Sequence, residues 1–205
     1  MNLIKEVNIN LWGLYNVRFK PNRDVNIMVG PNGSGKTTIL NTIFATAIDK
    51  KIPTWWPSDD KIEVYYHLAR MFNRPQFRSD SEVKRFLKIV NGFFEDTQKE
   101  IIINGNSFEI ISDGDIVPMR ILSSGEKQLL YILFELFIHE EKQMCIFLDN
   151  PEILLHIDWQ YRLINALVKF KPDSQFFIAT HSPSIFGAGW EDKVIYIDDF
   201  KFPIH

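Results

Sequence analysis

The first third of the chain alternates between two spacings of apolar residues, one typical of strands and one of a helix. Apolar and polar positions alternate over 7–11 and 15–19, and three apolar residues end the segment 24–29, so we predict strands over 3–11, 15–19 and 24–29. From Lys36 onward the apolar positions recur every three or four residues, which predicts a helix. Its apolar face consists of Ile39, Leu40, Ile43, Phe44, Ala47 and Ile48.

The last third of the chain alternates predicted strands with predicted helices. The runs 144–148 and 175–179 are mostly apolar, as expected of strands buried on both faces of a parallel sheet, and 193–197 is predicted to be a further strand. Helical spacing predicts helices from about 124 to 139 and from 159 to 170. This alternation implies an α/β fold with a mostly parallel core sheet flanked by helices, to which the early strands add an N-terminal antiparallel β flank.

A less regular insert separates these two parts, at about residues 50–120. Its predicted elements are helices over 59–72 and 81–90 and a hairpin of 100–103 with 107–111 around Asn104-Gly105. Because we find no internal repeat and no low-complexity linker, we predict a single domain over 1–205 that contains this insert.

Composition narrows the class of protein. Hydrophobic residues make up 45% of the chain and charged residues 24%, as in a soluble globular protein. The net charge of -3 creates no overall positive field that would attract nucleic acid. Cys145 is the single cysteine, so the chain can form no internal disulfide and no cysteine-pair zinc site. No apolar stretch reaches the roughly 18 residues of a membrane span, and no secretion signal is present, so we expect a cytoplasmic protein without direct membrane insertion.

The segment Gly30-Pro31-Asn32-Gly33-Ser34-Gly35-Lys36-Thr37 matches a P-loop and lies between a predicted strand and a predicted helix. Its glycines allow the tight turn that points backbone N–H groups at phosphate oxygens, and the helix adds its positive N-terminal end. Lys36 would reach the β- and γ-phosphates, and Thr37 would offer its hydroxyl to Mg²⁺. The residues predicted to bind ATP here are Asn32, Gly33, Ser34, Gly35, Lys36, Thr37 and Thr38. The alternative is a glycine-rich turn without a ligand.

Asp149 follows the apolar run 144–148 and is the second predicted Mg²⁺ ligand. A carboxylate at the end of a buried strand can hold Mg²⁺ through water, opposite a P-loop. The alternative is a helix N-cap aspartate ahead of Pro151-Glu152.

Three further segments resemble the motifs of ABC-type ATPase heads. Residues 122–128, Leu-Ser-Ser-Gly-Glu-Lys-Gln, resemble the ABC signature loop. Residues 149–160 resemble the extended Walker B and D-loop region, and 179–183, Ala-Thr-His-Ser-Pro, resemble the switch-histidine loop. Their order and spacing are similar to those in heads of the overcoming-lysogenisation-defect (OLD) family and related SMC-like ATPases, and this resemblance covers nearly the whole chain.

The resemblance implies a composite ATP site shared by two chains. Two heads would pack head-to-tail as a homodimer or higher oligomer, and Ser123, Ser124, Gly125 and Glu126 of each chain would close on the ATP of the other. His181 would contact the γ-phosphate and sense hydrolysis. From the residues alone, Ser123 to Glu126 form a capping-box pattern that opens a helix, so a plain helix cap stays an alternative.

One position departs from the family pattern. The residue after the magnesium aspartate is normally glutamate, which positions or activates the attacking water, whereas this chain has Asn150. An amide cannot act as a general base, and Glu152 is the nearest carboxylate that could substitute. We therefore expect slow or absent hydrolysis, with Asn150, Glu152 and His181 as the candidate catalytic residues.

The resemblance also leaves the chain without an effector of its own. We find no sustained heptads for a coiled coil between Thr37 and Leu122 and no match to a nuclease domain, so the predicted partner is a separate effector, a nuclease in anti-phage defence or DNA repair. Rival interpretations are a transporter's nucleotide-binding subunit, whose signature usually ends Gly-Gly-Gln, and a non-hydrolysing scaffold. Gln76 and Gln98 are the candidates for a Q-loop glutamine, by rough position only.

The insert contains two segments that suggest partner surfaces. Basic and aromatic residues mix over 70–88, which suits nucleic acid or an acidic partner, although solvated helices with an apolar underside give the same pattern. The basic residues are Arg70, Arg74, Arg78, Lys84, Arg85 and Lys88, and the aromatic ones Phe72, Phe77 and Phe86. Trp55-Trp56 would either pack on the core or anchor a partner.

Overall fold

A computed structural model describes residues 3–56, 80–104, 107–139, 141–187 and 189–204. The predicted helix over 59–72 and the residues Arg70, Phe72, Arg74, Gln76, Phe77 and Arg78 lie outside these ranges. The chain divides into two compact units. The P-loop unit comprises residues 1–57, 141–153 and 160–205, and the insert unit comprises 58–140 and 154–159.

A five-stranded parallel sheet forms the centre of the P-loop unit, which confirms the predicted α/β fold with its mostly parallel core. Its strands are β3 (Val25–Val29), β4 (Thr54–Trp55), β8 (Cys145–Asp149), β9 (Gln175–Thr180) and β10 (Val194–Tyr196). Their order is β10-β3-β9-β8-β4. Every residue of β9 is buried, which explains why its sequence lacks the alternation of a half-exposed strand.

The predicted antiparallel flank is a separate three-stranded sheet in the same unit. It consists of β1 (Val7–Leu11), β2 (Tyr15–Phe19) and β11 (Lys201–Pro203), in the order β1-β2-β11. The first strand begins later than predicted because the backbone N–H and C=O of Ile4 bond to the side chain of Gln175 instead of to a strand.

Helix α1 (Lys36–Asp49) follows the P-loop and packs on both sheets of the P-loop unit. Its residues Ile39, Leu40 and Ile43 are buried in the same cluster as Phe147 and Phe177. Trp55 is 6% exposed, and the ring of Trp56 stacks on Phe147 with centroids 5.9 Å apart. Both tryptophans therefore pack on the core, which decides between the two interpretations of this pair.

The insert unit combines helices with an antiparallel meander. Its elements are α2 (Asp80–Phe94), β5 (Lys99–Asn104), β6 (Ser107–Ser112), β7 (Asp115–Val117) and α3 (Ser124–Ile138). The predicted hairpin is confirmed, with Asn104 paired to Ser107. A further helix, α4 (Ile157–Phe170), contributes its first residues to this unit and the rest to the P-loop unit.

Helix α2 is amphipathic. Phe86 is fully buried, and its ring lies 5.3 Å from that of Phe134 and 5.5 Å from that of Phe108. Lys84, Arg85 and Lys88 are exposed. The described part of the basic segment therefore matches the solvated helix with an apolar underside, and Phe86 is not available to stack on a base. Within the described residues no helix is long and apolar enough to cross a membrane.

Candidate nucleotide-binding site

The P-loop connects the end of β3 to the start of α1, in the context that the motif requires. Gly33 has φ 77° and Gly35 has φ 97°, conformations that L side chains rarely adopt. A Cβ at Gly35 would also lie 2.9 Å from Leu11 Cδ2, and one at Gly30 would lie 2.7 Å from Ser34 Oγ. Conformation and space together therefore require glycine at position 35.

Lys36 is buried at the start of α1, with 5% of its surface exposed. Its ammonium donates to the carbonyl oxygens of Gly30 at 2.8 Å and Pro31 at 3.2 Å. Burial lowers the pKa of Lys36 below its ordinary value, and the carboxylates of Asp149 and Glu152 oppose that effect. A buried ammonium in this position favours an anionic ligand.

The side chains of Thr37 and Asp149, the two predicted Mg²⁺ ligands, are in contact. The Thr37 hydroxyl donates to Asp149 Oδ2 at 2.7 Å, which joins the start of α1 to the end of β8. Hydroxyl and carboxylate oxygens are ligands that Mg²⁺ accepts, and this ion usually takes one or two carboxylates together with phosphate oxygens and water. The described residues hold no cluster of three or more His, Cys, Asp and Glu side chains that could bind a metal alone. The pair therefore fits Mg²⁺ brought in with a nucleotide.

Ser34 supplies a second indication of a ligand. Its side chain is 5% exposed, and its Oγ is buried without a hydrogen-bond partner in the described structure. Buried hydroxyl groups normally have a partner, and this one lies in the loop whose N–H groups would surround a phosphate. Asn32, Thr37 and Thr38 are exposed in and beside the same loop.

Asn150 lies directly after β8, and its side chain turns back to Asp149. Its amide donates to Asp149 Oδ1 at 3.0 Å, while its backbone N–H donates to Ala179 O at 2.8 Å. The residue has φ 46°, in the left-handed region where asparagine is enriched. Both oxygens of Asp149 are thus held, one by Thr37 and one by Asn150.

Glu152 and His181 come together at the carboxyl ends of the adjacent strands β8 and β9. The backbone N–H of His181 donates to Glu152 Oε1 at 3.0 Å, and the imidazole is exposed. Ligands of open α/β sheets gather at this edge. The three candidate catalytic residues therefore lie next to one another along this edge.

The predicted signature loop is the N-terminus of α3, in the insert unit. Ser123 is the N-cap, and Ser123 and Glu126 form the predicted capping box, with bonds of 3.1 Å and 2.6 Å. A Cβ at Gly125 would overlap the carbonyl oxygen of Leu154. Ser123 and Ser124 are exposed, so a ligand can reach them.

Glu126 is 2% exposed and its carboxylate is already bonded. Besides the capping bond, Oε1 accepts from Lys99 Nζ at 2.8 Å. Burial alone would raise the pKa of Glu126, but Lys99 and the hydrogen bonds of Ser123 and Thr97 lower it below its ordinary value. These contacts give Glu126 a role in shaping the loop.

Trp12 is a site residue that the sequence did not indicate. A Cβ at Gly35 would lie 3.2 Å from Trp12 Cη2, so the indole is next to the P-loop. The side chain is 51% exposed, and the residue has φ 59°. In the sequence Trp12-Gly13 is only a turn between two strands. Such a turn does not reveal that the ring faces the P-loop.

Two weaker candidates lie in the insert unit. His156 is exposed, and its Nδ1 lies 3.3 Å from Asp158 Oδ2, a contact between neighbours on the surface. Gln98 has φ 55° and lines a cavity of about 520 Å³ between α2 and the meander. Neither observation assigns them a role with nucleotide.

A family model for an AAA ATPase domain matches residues 43–186. No curated protein matches. Among solved structures, the SMC head domain from Thermotoga maritima is similar, with 15% identity, a TM-score of 0.56, and coverage of 85% of this chain and 90% of that chain. An SMC head bound to the C-winged helix domain of ScpA has 14% identity, a TM-score of 0.51, and coverage of 84% and 86%. At such identities these likenesses concern the fold.

Proposed function

The chain belongs to the AAA ATPase domain family, with the fold of an ABC/SMC-like P-loop ATPase head, and from that premise we propose that ATP joins two copies of it head-to-tail. In this proposal the closed dimer holds ATP for long periods because hydrolysis is slow. Closure then gates a separate effector protein. The observation that most directly supports nucleotide binding is the 2.7 Å hydrogen bond between Thr37 and Asp149, next to the buried Lys36.

The chain's own residues account for how ATP and Mg²⁺ would be held. The P-loop amides and Lys36 bind the phosphates, and Ser34 Oγ gains the partner that it otherwise lacks. Thr37 and Asp149 are the residues that would hold Mg²⁺, which neutralises phosphate charge when bound. The exposed ring of Trp12 beside Gly35 offers a face on which the adenine can stack.

Asn150 is the basis for slow hydrolysis. A general base must accept the proton of the attacking water, and an amide cannot. The amide of Asn150 moreover donates to Asp149, so in this arrangement its N–H is directed at the magnesium ligand. The same observation favours a second candidate function, a scaffold that binds ATP and does not hydrolyse it.

The dimer and the effector rest on the signature motif and on the structural likeness. Ser123 and Ser124 are exposed at the N-terminus of the 15-residue helix α3, where backbone N–H groups and the helix dipole favour an anion. The SMC head that is similar in fold binds a domain of another protein. By analogy we propose a protein effector for this chain, a nuclease that acts in anti-phage defence or DNA repair.

A mixing experiment tests the composite site. Lys36→Ala removes the phosphate-binding ammonium, and Ser124→Arg blocks the signature loop, so neither variant alone should form an ATP-dependent dimer. An equal mixture can form a dimer with one intact site, made of the P-loop of the second variant and the signature loop of the first. We expect sedimentation to detect this dimer with ATP and not with ADP. A mixture that stays monomeric, beside a wild-type chain that dimerises, contradicts the head-to-tail arrangement.

A further inference from the structure

The proposed ATP and Mg²⁺ site does not use the buried carboxylate of Glu152, yet this carboxylate lies at the edge of the sheet where both would bind. Its exposed fraction is 9%. A single oxygen, Oε1, accepts from Thr180 Oγ1 at 2.6 Å and from His181 N at 3.0 Å. Glu152 therefore links the loop after β8 to the loop after β9.

These bonds continue into the loop that carries His181. Thr180 Oγ1, which donates to Glu152, accepts from the backbone N–H of Ser182 at 3.0 Å. The hydroxyl of Ser182 in turn donates to Gln160 Oε1 at 2.6 Å. The residues on both sides of His181 are thus held by hydrogen bonds that begin at Glu152.

Few contacts of its own fix the imidazole of His181. It is exposed and makes no hydrogen bond or ion pair within the described residues, so its place is set through its backbone. The carboxylate of Glu152 also acts electrostatically on Lys36 of the P-loop, where it opposes the effect of burial on the pKa of that ammonium. Glu152 is therefore near both the P-loop lysine and the histidine loop.

The second oxygen of Glu152, Oε2, is buried without a hydrogen-bond partner in the described structure. A buried acceptor left unbonded is unfavourable, and such a group in a folded protein needs an explanation. The hydrogen bonds that Oε1 accepts from the loop after β9 explain why a carboxylate is present here, since a carboxylate accepts stronger hydrogen bonds than a neutral group would.

We propose that Glu152 is a positioning residue that holds His181 where its imidazole reaches the terminal phosphate of ATP. This inference rests on the proposed ATP site and specifies how that site distinguishes ATP from ADP. Glu152 acts through His181 and does not touch the nucleotide.

The preference for ATP over ADP measures this role without any need for hydrolysis. We would determine dissociation constants of both nucleotides, with Mg²⁺, for the wild-type chain, Glu152→Ala, His181→Ala and the double variant. Each single variant should lower the preference for ATP by about fivefold, as expected for the loss of one hydrogen bond. The double variant should be no worse than His181→Ala, because both changes remove one imidazole contact.

Two further variants separate positioning from charge. Glu152→Gln should recover most of the preference, because its carbonyl oxygen can accept both bonds. Asp24→Ala is the matched control, because it removes a carboxylate of the same unit at the end of β3 that lies away from the P-loop. This variant should leave the preference for ATP over ADP unchanged. If Glu152→Ala does not fold, Thr180→Val takes its place, since it removes one bond to Oε1 with little change in volume and should also lower the preference.

Several outcomes would overturn the inference. They are an unchanged preference in Glu152→Ala, losses that add up in the double variant, and a glutamine variant as impaired as the alanine variant. A wild-type chain that binds no nucleotide would instead refute the proposed function itself. The two failures are therefore distinguishable.

Discussion

Trp12 has a backbone conformation that a bulky side chain rarely adopts. A bulky residue with φ 59° is strained, and such strain costs about 1–3 kcal/mol and persists where the surroundings enforce it. At this position it places an exposed indole beside Gly35 of the P-loop. The strain is therefore consistent with a ring held in place for a ligand.

Replacing Trp12 by alanine should weaken ATP binding by about tenfold, since stacking of a base on an aromatic ring contributes about 1–3 kcal/mol. Trp12→Phe should retain most of the affinity because it keeps an aromatic face. Titration with ATP and with inorganic triphosphate measures the effect. Triphosphate binding should not change, and an equal loss for both ligands would show that the ring supports the P-loop rather than the base.

The sequence predicted residues for the proposed phosphate site, but it did not predict the contacts between them. Lys36, Thr37 and Asp149 were predicted from a motif and a strand end, because the P-loop chemistry fixes which residue types are needed. That the Asn150 amide bonds to Asp149 depends on φ 46° at that residue. Neither spacing nor composition indicates such a backbone angle. From the sequence alone one sees only that Asn150 replaces the glutamate that would act as general base.

At the scale of elements, the N-terminus of α3 is held by an ion pair whose carboxylate is buried. Glu126 caps the helix and also pairs with Lys99 at the start of β5, so the meander and the signature loop share one carboxylate. The ordinary pKa of Glu126 is 4.5, and its folded pKa is lower because Lys99 and the capping bonds favour the charged form. Its contribution to stability is therefore present above the ordinary pKa and lost as pH falls through the folded value.

We expect Glu126→Gln to reduce the free energy of unfolding by about 1–3 kcal/mol at neutral pH, the usual cost of an unsatisfied buried group. The difference from the wild-type chain should shrink as the pH falls below 4.5. Urea unfolding at neutral and acidic pH measures both values. Glu100→Gln, an exposed change on β5, is the control. A difference that is constant across this pH range would contradict the assignment.

Long, strongly patterned elements were predicted, whereas of the four described strands with 2 or 3 residues only β10 was. The apolar runs of β8 and β9 and the periodic helices α1 and α3 were confirmed to within a few residues. Strands β4, β7 and β11 have 2 or 3 residues each. They are too short to show a regular spacing of apolar residues. Pairing with neighbouring strands, and not their own residue pattern, defines them.

At the scale of the whole molecule, the P-loop unit and the insert unit carry different parts of the proposed function. The P-loop unit contains Lys36, Asp149 and His181, and the insert unit contains the signature loop. In the head-to-tail proposal the insert unit of one chain completes the ATP site of the other. The effector in this proposal is a second protein, so no feature of this chain's own sequence specifies its identity.

The nucleotide content of the isolated dimer tests the central claim most directly. Purified chain is incubated with ATP and Mg²⁺ for several minutes, the dimer is separated, and its nucleotides are released with acid and quantified. We predict that the dimer contains ATP in excess over ADP, and that Asn150→Glu, unlike Asn150→Gln, shifts the content toward ADP. A wild-type dimer that contains mainly ADP, as turnover at about 10 s⁻¹ would produce within seconds, would contradict the account.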